Sequence, residues 1–109
     1  MTNNLDTLFS ALGDPTRRAV VERLVSGPAP VSELHTAHDL ALPTFLRHLK
    51  VLEEAGLVRS EKLGRVRVVH IEAASLGRIE DWLANQRKLL RESIDRLSVL
   101  AERIEGQSD

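Results

Sequence analysis

Six basic side chains, Arg47, Lys50, Arg59, Lys62, Arg65 and Arg67, fall within residues 41–70 against Glu53, Glu54 and Glu61, giving that stretch a net charge of +3. The stretches on either side, 1–40 and 71–109, each carry −2, so the total of −1 conceals one cationic segment between two acidic ones. Such a pattern suits a polyanion met at one place rather than a protein that is basic throughout; the plainer alternative is a solvated surface. Where the cations sit decides between them. Arg47 can bond bidentately to guanine O6 and N7, which makes it the candidate base reader, while Lys50 suits a phosphate. Thr44 stands near the start of the same segment, within reach of a phosphate or a base edge. Leu46 is either a contact for a thymine methyl or a core residue under a slightly rotated helix, and it stays among the candidates. Lys62 and Arg65 flank Gly64 at a turn, suited to phosphate or minor-groove contact, with Arg67 and Arg59 further back; edge-strand charge that discourages aggregation is the other reading.

Catalysis finds no comparable footing. The chain has no glycine-rich phosphate loop, no GxSxG, no HExxH and no tyrosine, and its four histidines stand at no diagnostic spacing. With no cysteine there is no disulfide, thiolate metal site or thiol nucleophile. No cofactor is expected. His35 and His38, three apart with Asp39 adjacent, could share a divalent ion, but two or three ligands do not make a site and no histidine lies in the C-terminal segment to complete one. Solvated surface histidines are the expectation, and His48 and His70 read as structural.

These side chains need elements to hold them. Leu5, Leu8, Phe9 and Leu12 fall at i, i+3, i+4, i+7 and predict a short helix ended by Gly13. Asp14-Pro15 supplies an N-cap oxygen and a proline at the first helical position, starting a second helix to about Ser26 with Val20, Val21, Leu24 and Val25 as its apolar stripe. Val31–His38 and Leu42–Ala55 are two further helices joined by a tight connection, a helix-turn-helix pattern over 31–56. With Phe45, Leu49 and Leu52 facing inward alongside Leu42, the opposite side of the second one carries Pro43, Thr44, Arg47 and Lys50, and His48 turns toward the buried side. β-Branched residues then gather on either side of Gly64, predicting a two-stranded hairpin over 58–71.

From 73 to 105 the pattern is helical again, with Leu76, Leu83, Leu90, Leu97 and Ile104 recurring every seven residues. A helix of about 30 residues spans roughly 45 Å, more than a domain of 109 residues covers by itself, so a partner helix is expected. The expected dimer surface is Leu5, Leu8, Phe9, Trp82, Leu83, Leu89, Leu90 and Leu97. Residues 1–105 read as one domain and 106–109 as a loose tail. No apolar run approaches the ~20 residues of a membrane span, and Met1 to Leu5 lacks the basic start of a secretion signal, so the cytoplasm is expected.

The order of helix, Asp-Pro helix, helix-turn-helix, hairpin and long terminal helix resembles the ArsR family of winged helix-turn-helix repressors over about residues 5–100. The residues that carry the resemblance are Ala11-Leu12-Gly13-Asp14-Pro15-Thr16-Arg17-Arg18, Val31-Ser32-Glu33-Leu34, the run Leu42 to Val58, and Lys62-Leu63-Gly64-Arg65-Val66-Arg67. It implies an α+β, mostly α, winged helix-turn-helix fold with a long C-terminal dimerisation helix. It further implies a homodimer whose two recognition helices enter successive major grooves of double-stranded DNA and repress by occluding a promoter, with room for a small-molecule inducer. Metal sensors of the family carry cysteines near Glu33-Leu34 or histidines in the last helix. Their absence places the chain in a cysteine-free, non-metal-sensing branch. The alternatives are a metal-responsive repressor using His35 and His38, and a dimerisation module without DNA binding. Four phosphate contacts per subunit would give a slope of log affinity against log salt of about −7.

Overall fold

The computed structural model describes residues 4–107. The chain divides into two compact units at Arg78/Ile79, where the sequence suggests one domain over 1–105.

In the first unit, helix α1 (Asn4–Leu12) is followed by α2 (Pro15–Val25) across a one-turn break. The break is built as the Asp-Pro signal requires: the Asp14 carboxylate accepts the Arg17 backbone N–H at 3.0 Å, and Pro15 opens the helix where its missing N–H costs nothing. Val20, Val21 and Leu24 are buried, but Val25 is 63% exposed. It follows Leu24 in the last turn of α2, and there only Leu24 still meets the core. Gly27 then takes φ +141, a backbone conformation closed to most side chains.

Ala29–Pro30 forms a two-residue strand, β1, which the expected two-stranded hairpin does not include. Helices α3 (Val31–Thr36) and α4 (Leu42–Glu54) follow, then strands β2 (Val58–Leu63) and β3 (Val66–Ile71) at the expected bounds. The sheet is antiparallel in the order β1-β3-β2, with Ala29 opposite Val69 and Pro30 opposite Val68, so the hairpin gains a third strand. Pro30 cannot donate to a ladder, which an edge position tolerates.

Helix α4 ends with Gly56 at φ +79, the Gly56 N–H on Glu53 O and the Leu57 N–H on Leu52 O, both at 3.0 Å. This Schellman arrangement satisfies the last carbonyls and turns Leu57, fully buried, back toward Leu52. Leu42 is exposed, not part of the inward stripe, because it occupies the first helical position. Phe45, Leu8, Leu24, Leu52, Leu57, Val20 and Val69 are the largest fully buried side chains.

Helix α5 (Ala73–Gln107) begins in the first unit, where buried Ser75 donates to Gly56 O, and runs two residues beyond the expected 105. Ser108 and Asp109, assigned to the loose tail, lie outside the described residues. From Ile79 onward α5 is the second unit, with Leu83, Leu90, Leu97 and Ile104 all exposed.

Candidate nucleic-acid interface

Helix α4 is fixed from inside by Phe45, Leu49 and Leu52, each at most 5% exposed. The rings of His35 and His38 cover Phe45 at centroid distances of 5.3 and 5.6 Å, and His35 Nε2 meets Leu40 O at 2.6 Å. The His35–His38 pair is thus engaged as a roof over the core, and among the described residues no three histidine, aspartate or glutamate side chains come together as a metal group.

A second brace holds α4 from its flank. The Arg17 guanidinium donates to the C-terminal carbonyls of α1, through Nε to Ala11 O at 2.7 Å and through Nη2 to Ser10 O at 3.3 Å, while Nη1 stands 3.3 Å from His48 Nδ1. Asp14 Oδ2 lies 3.7 Å from the same nitrogen. The backbone N–H of Arg17 holds the Asp14 carboxyl below its ordinary value, helped by the charges of His48 and Arg17 against a desolvation that raises it. His48 is half-buried in this cluster, as its place on the helix predicts.

With the inner face held, Arg47 and Lys50 are exposed on the outer one, Leu46 is 40% exposed beside them, and Thr44 is half-buried near the helix start. At the end of the hairpin Gly64 takes φ +64 and Arg65 does not take a positive φ, the pattern of a two-residue turn with glycine first. Lys62 and Arg65 project there, both exposed. Val31, Leu46, Leu49, Lys50, Glu53 and Arg67 line a cavity of about 320 Å³ between α4 and the sheet. Ser60, Lys62, Arg65 and Arg67 line another of about 470 Å³ on the hairpin. Arg67 belongs to both, so it stands where helix face and hairpin meet.

The cations of this surface differ in their partners. Arg59 Nε is 2.9 Å from Glu72 Oε1, and Arg67 reaches Glu53 and Ser60. Lys50 has only a loose pair with Glu54 at 3.9 Å, both ends largely exposed and worth little. Arg47, Lys62 and Arg65 make no ion pair among the described residues. Behind them His70 Nε2 is 3.2 Å from Glu61 Oε2, in an orientation that makes no hydrogen bond.

Of the expected dimer residues, Trp82, Leu83, Leu89, Leu90 and Leu97 are exposed on the second unit, and Phe9 is exposed on the first. Leu8 requires correction: it is fully buried within one chain and presents nothing to a second copy. Leu5 is half-buried. The residues that sequence reasoning missed are Glu53 and Ser60. The two-residue turn fixes the hairpin register and so places Ser60 on the same face as Lys62 and Arg67, a signal present in the sequence; the approach of Glu53 has none.

A helix-turn-helix domain signature matches residues 12–61. The chain is 42% identical over 71 residues to the HTH-type transcriptional regulator Rv2034 of Mycobacterium tuberculosis, a match covering 65% of this chain and 66%, just under two thirds, of that one. It is 40% identical over 76 residues to the uncharacterized HTH-type transcriptional regulator YuzN of Bacillus subtilis, covering 63% and 83% of the two chains. A solved ArsR family transcriptional regulator shares 48% identity over 82% of this chain and 98% of its own, with a TM-score of 0.77. Fold, cationic face and relatives agree: the chain belongs to the ArsR family of winged helix-turn-helix regulators, DNA-binding proteins of transcription and not enzymes.

Proposed function

We propose that the protein acts as a homodimeric repressor that places one α4 in each of two successive major grooves, about 34 Å apart, and lays its β2–β3 wings on the flanking backbone. The observation that carries this reading is the distribution of unpaired charge. Of the described cations on the α4–wing surface, Arg47 on the outer face of α4 and Lys62 and Arg65 at the wing turn are left without a carboxylate, whereas Arg59 and Arg67 are paired. Arg47 reads a base edge, Lys50, Lys62 and Arg65 neutralise phosphates, and Thr44 and Leu46 complete the helix face.

Dimerisation is supported by the second unit, whose Leu83, Leu90, Leu97 and Ile104 recur every seven residues and are all exposed among the described residues. A dimer over two grooves occludes the promoter it sits on, which is repression without any further domain. No helix is long and apolar enough to cross a membrane among the described residues.

The test is a gel-shift titration on the DNA upstream of the protein's own gene against scrambled DNA of equal length, with the bound stoichiometry read by sedimentation. Selective shifting by two chains per duplex is expected. A dimer that shows no affinity for any duplex would overturn the reading in favour of a dimerisation module.

A further inference from the structure

We propose that Arg67, which its position on the wing suggests as a phosphate ligand, is instead a positioning residue that sets the wing on the recognition helix through Ser60 and Glu53. Its Nε donates to Ser60 Oγ at 3.1 Å, and the Ser60 hydroxyl in turn donates to Glu53 Oε1. Arg67 Nη2 also lies 3.6 Å from the same carboxylate oxygen. A single hydroxyl that accepts from one side and donates to the other makes the chain of bonds directional, from β3 through β2 to the last turn of α4.

Two further features point the same way. Lys62 lies directly opposite Arg67 in the β2–β3 register, on one face of the hairpin, and like charges so placed repel. Drawing Arg67 back onto Glu53 relieves that repulsion and leaves Lys62 to the wing tip. Glu53, for its part, lines the cavity between α4 and the wing together with Lys50 and Arg67. A bare carboxylate there would repel phosphate; matched by Arg67 it is neutral toward DNA. The pair therefore adds no net charge to the interface, and what it supplies is a fixed angle between the helix that reads bases and the hairpin that grips the backbone.

This inference rests on the DNA-binding reading, and the experiment separates the two. A duplex is selected from a random pool by the wild-type protein, and its affinity is measured against random DNA over a salt series for wild type, Ser60→Ala, Arg67→Ala and the double variant. Each single variant is expected to lose roughly tenfold in preference for the selected duplex and the double variant no more than either; Arg67→Ala, which bares the Glu53 carboxylate, also weakens random DNA but keeps the salt slope, since no phosphate contact is lost. Additive losses, with a slope shallower by about 1.8 per dimer in Arg67→Ala, would make Arg67 a phosphate ligand and overturn the proposal while leaving DNA binding intact. Failure of the wild type to select any duplex overturns both. In the free protein at pH 6, the ¹⁵N-detected Nε–H signal of Arg67 is expected apart from that of exposed Arg47 and to join it in Ser60→Ala; coincident signals in the wild type would show that the relay does not form.

Discussion

Replacing Lys62 by alanine removes one unpaired cation from each wing tip and touches little else, since the side chain is exposed and its cross-strand neighbour is another cation, Arg67. With Arg67 held by Glu53, the cations left for phosphates are Lys50, Lys62 and Arg65, six in a dimer instead of the eight that sequence alone suggests. Counterion release at about 0.9 per phosphate gives a wild-type slope of about −5.4 rather than −7, and about −3.6 for Lys62→Ala. Between 50 and 200 mM salt the wild type should lose about 3.3 decades of affinity and the variant about 2.2. Fluorescence anisotropy of a labelled duplex over a potassium chloride series reads both slopes. Selected and random duplexes should respond alike, because a phosphate contact carries no sequence information. Stability from urea unfolding should stay within about 0.5 kcal/mol of the wild type's, since an exposed side chain without an ion pair among the described residues has been removed. An unchanged slope in Lys62→Ala would refute the placement of the wing tip on the DNA backbone, and a wild-type slope near −7 would return Arg67 to the phosphate ligands.

Arg47→Ala should weaken binding to the selected duplex by about 1–3 kcal/mol and random DNA much less, as competition titrations with both will show; equal losses would make Arg47 a backbone contact. Asp14→Ala should cost about 1 kcal/mol of stability at pH 7 through the lost cap, read as a shift in urea midpoint. Because the Arg17 N–H and nearby charges hold the folded carboxyl below its ordinary 3.8, this contribution is complete above that pH and disappears as pH falls through the lower folded value, so the two midpoints should converge in acid. Leu90→Glu with Leu97→Glu places charge in the exposed apolar row of the second unit, and sedimentation should then find a monomer.

What the sequence made legible was what local rules govern. Asp14-Pro15, Gly56 and Gly64 each impose a cap or a turn by their own chemistry, and the bounds of β2 and β3 follow from β-branched runs on either side of a two-residue turn. Strand β1 was not legible because two residues have no periodicity and its one proline, Pro30, argues against a ladder; only its partner β3 makes Ala29–Pro30 a strand. Val25 and Leu42 were misplaced for a related reason. A helical wheel has no ends, whereas in the folded helix the terminal residue itself, Val25 at the end of α2 and Leu42 at the start of α4, lies beyond the last buried neighbour. Leu8 has the spacing of a surface row, and burial within its own chain is a tertiary fact. In the site, the exposed face of α4 was legible from periodicity, since burying Phe45, Leu49 and Leu52 leaves Arg47 one way to point. The partner of Arg67 was not, because helix-to-strand contacts follow no fixed spacing.

Strand β1 also governs when the protein can become native. Its pairing with β3 joins residues about 40 positions apart and encloses the whole of α3 and α4 in the loop. A loop of that length closes late, since its entropy is lost before the contact returns anything. During synthesis the two helices of the motif are made before β3, and Ala29 has no strand to pair with until β3 follows. A peptide cut to the helix-turn-helix alone would leave Ala29–Pro30 without the strand that pairs with it, so the element that closes the fold lies outside the motif that reads DNA.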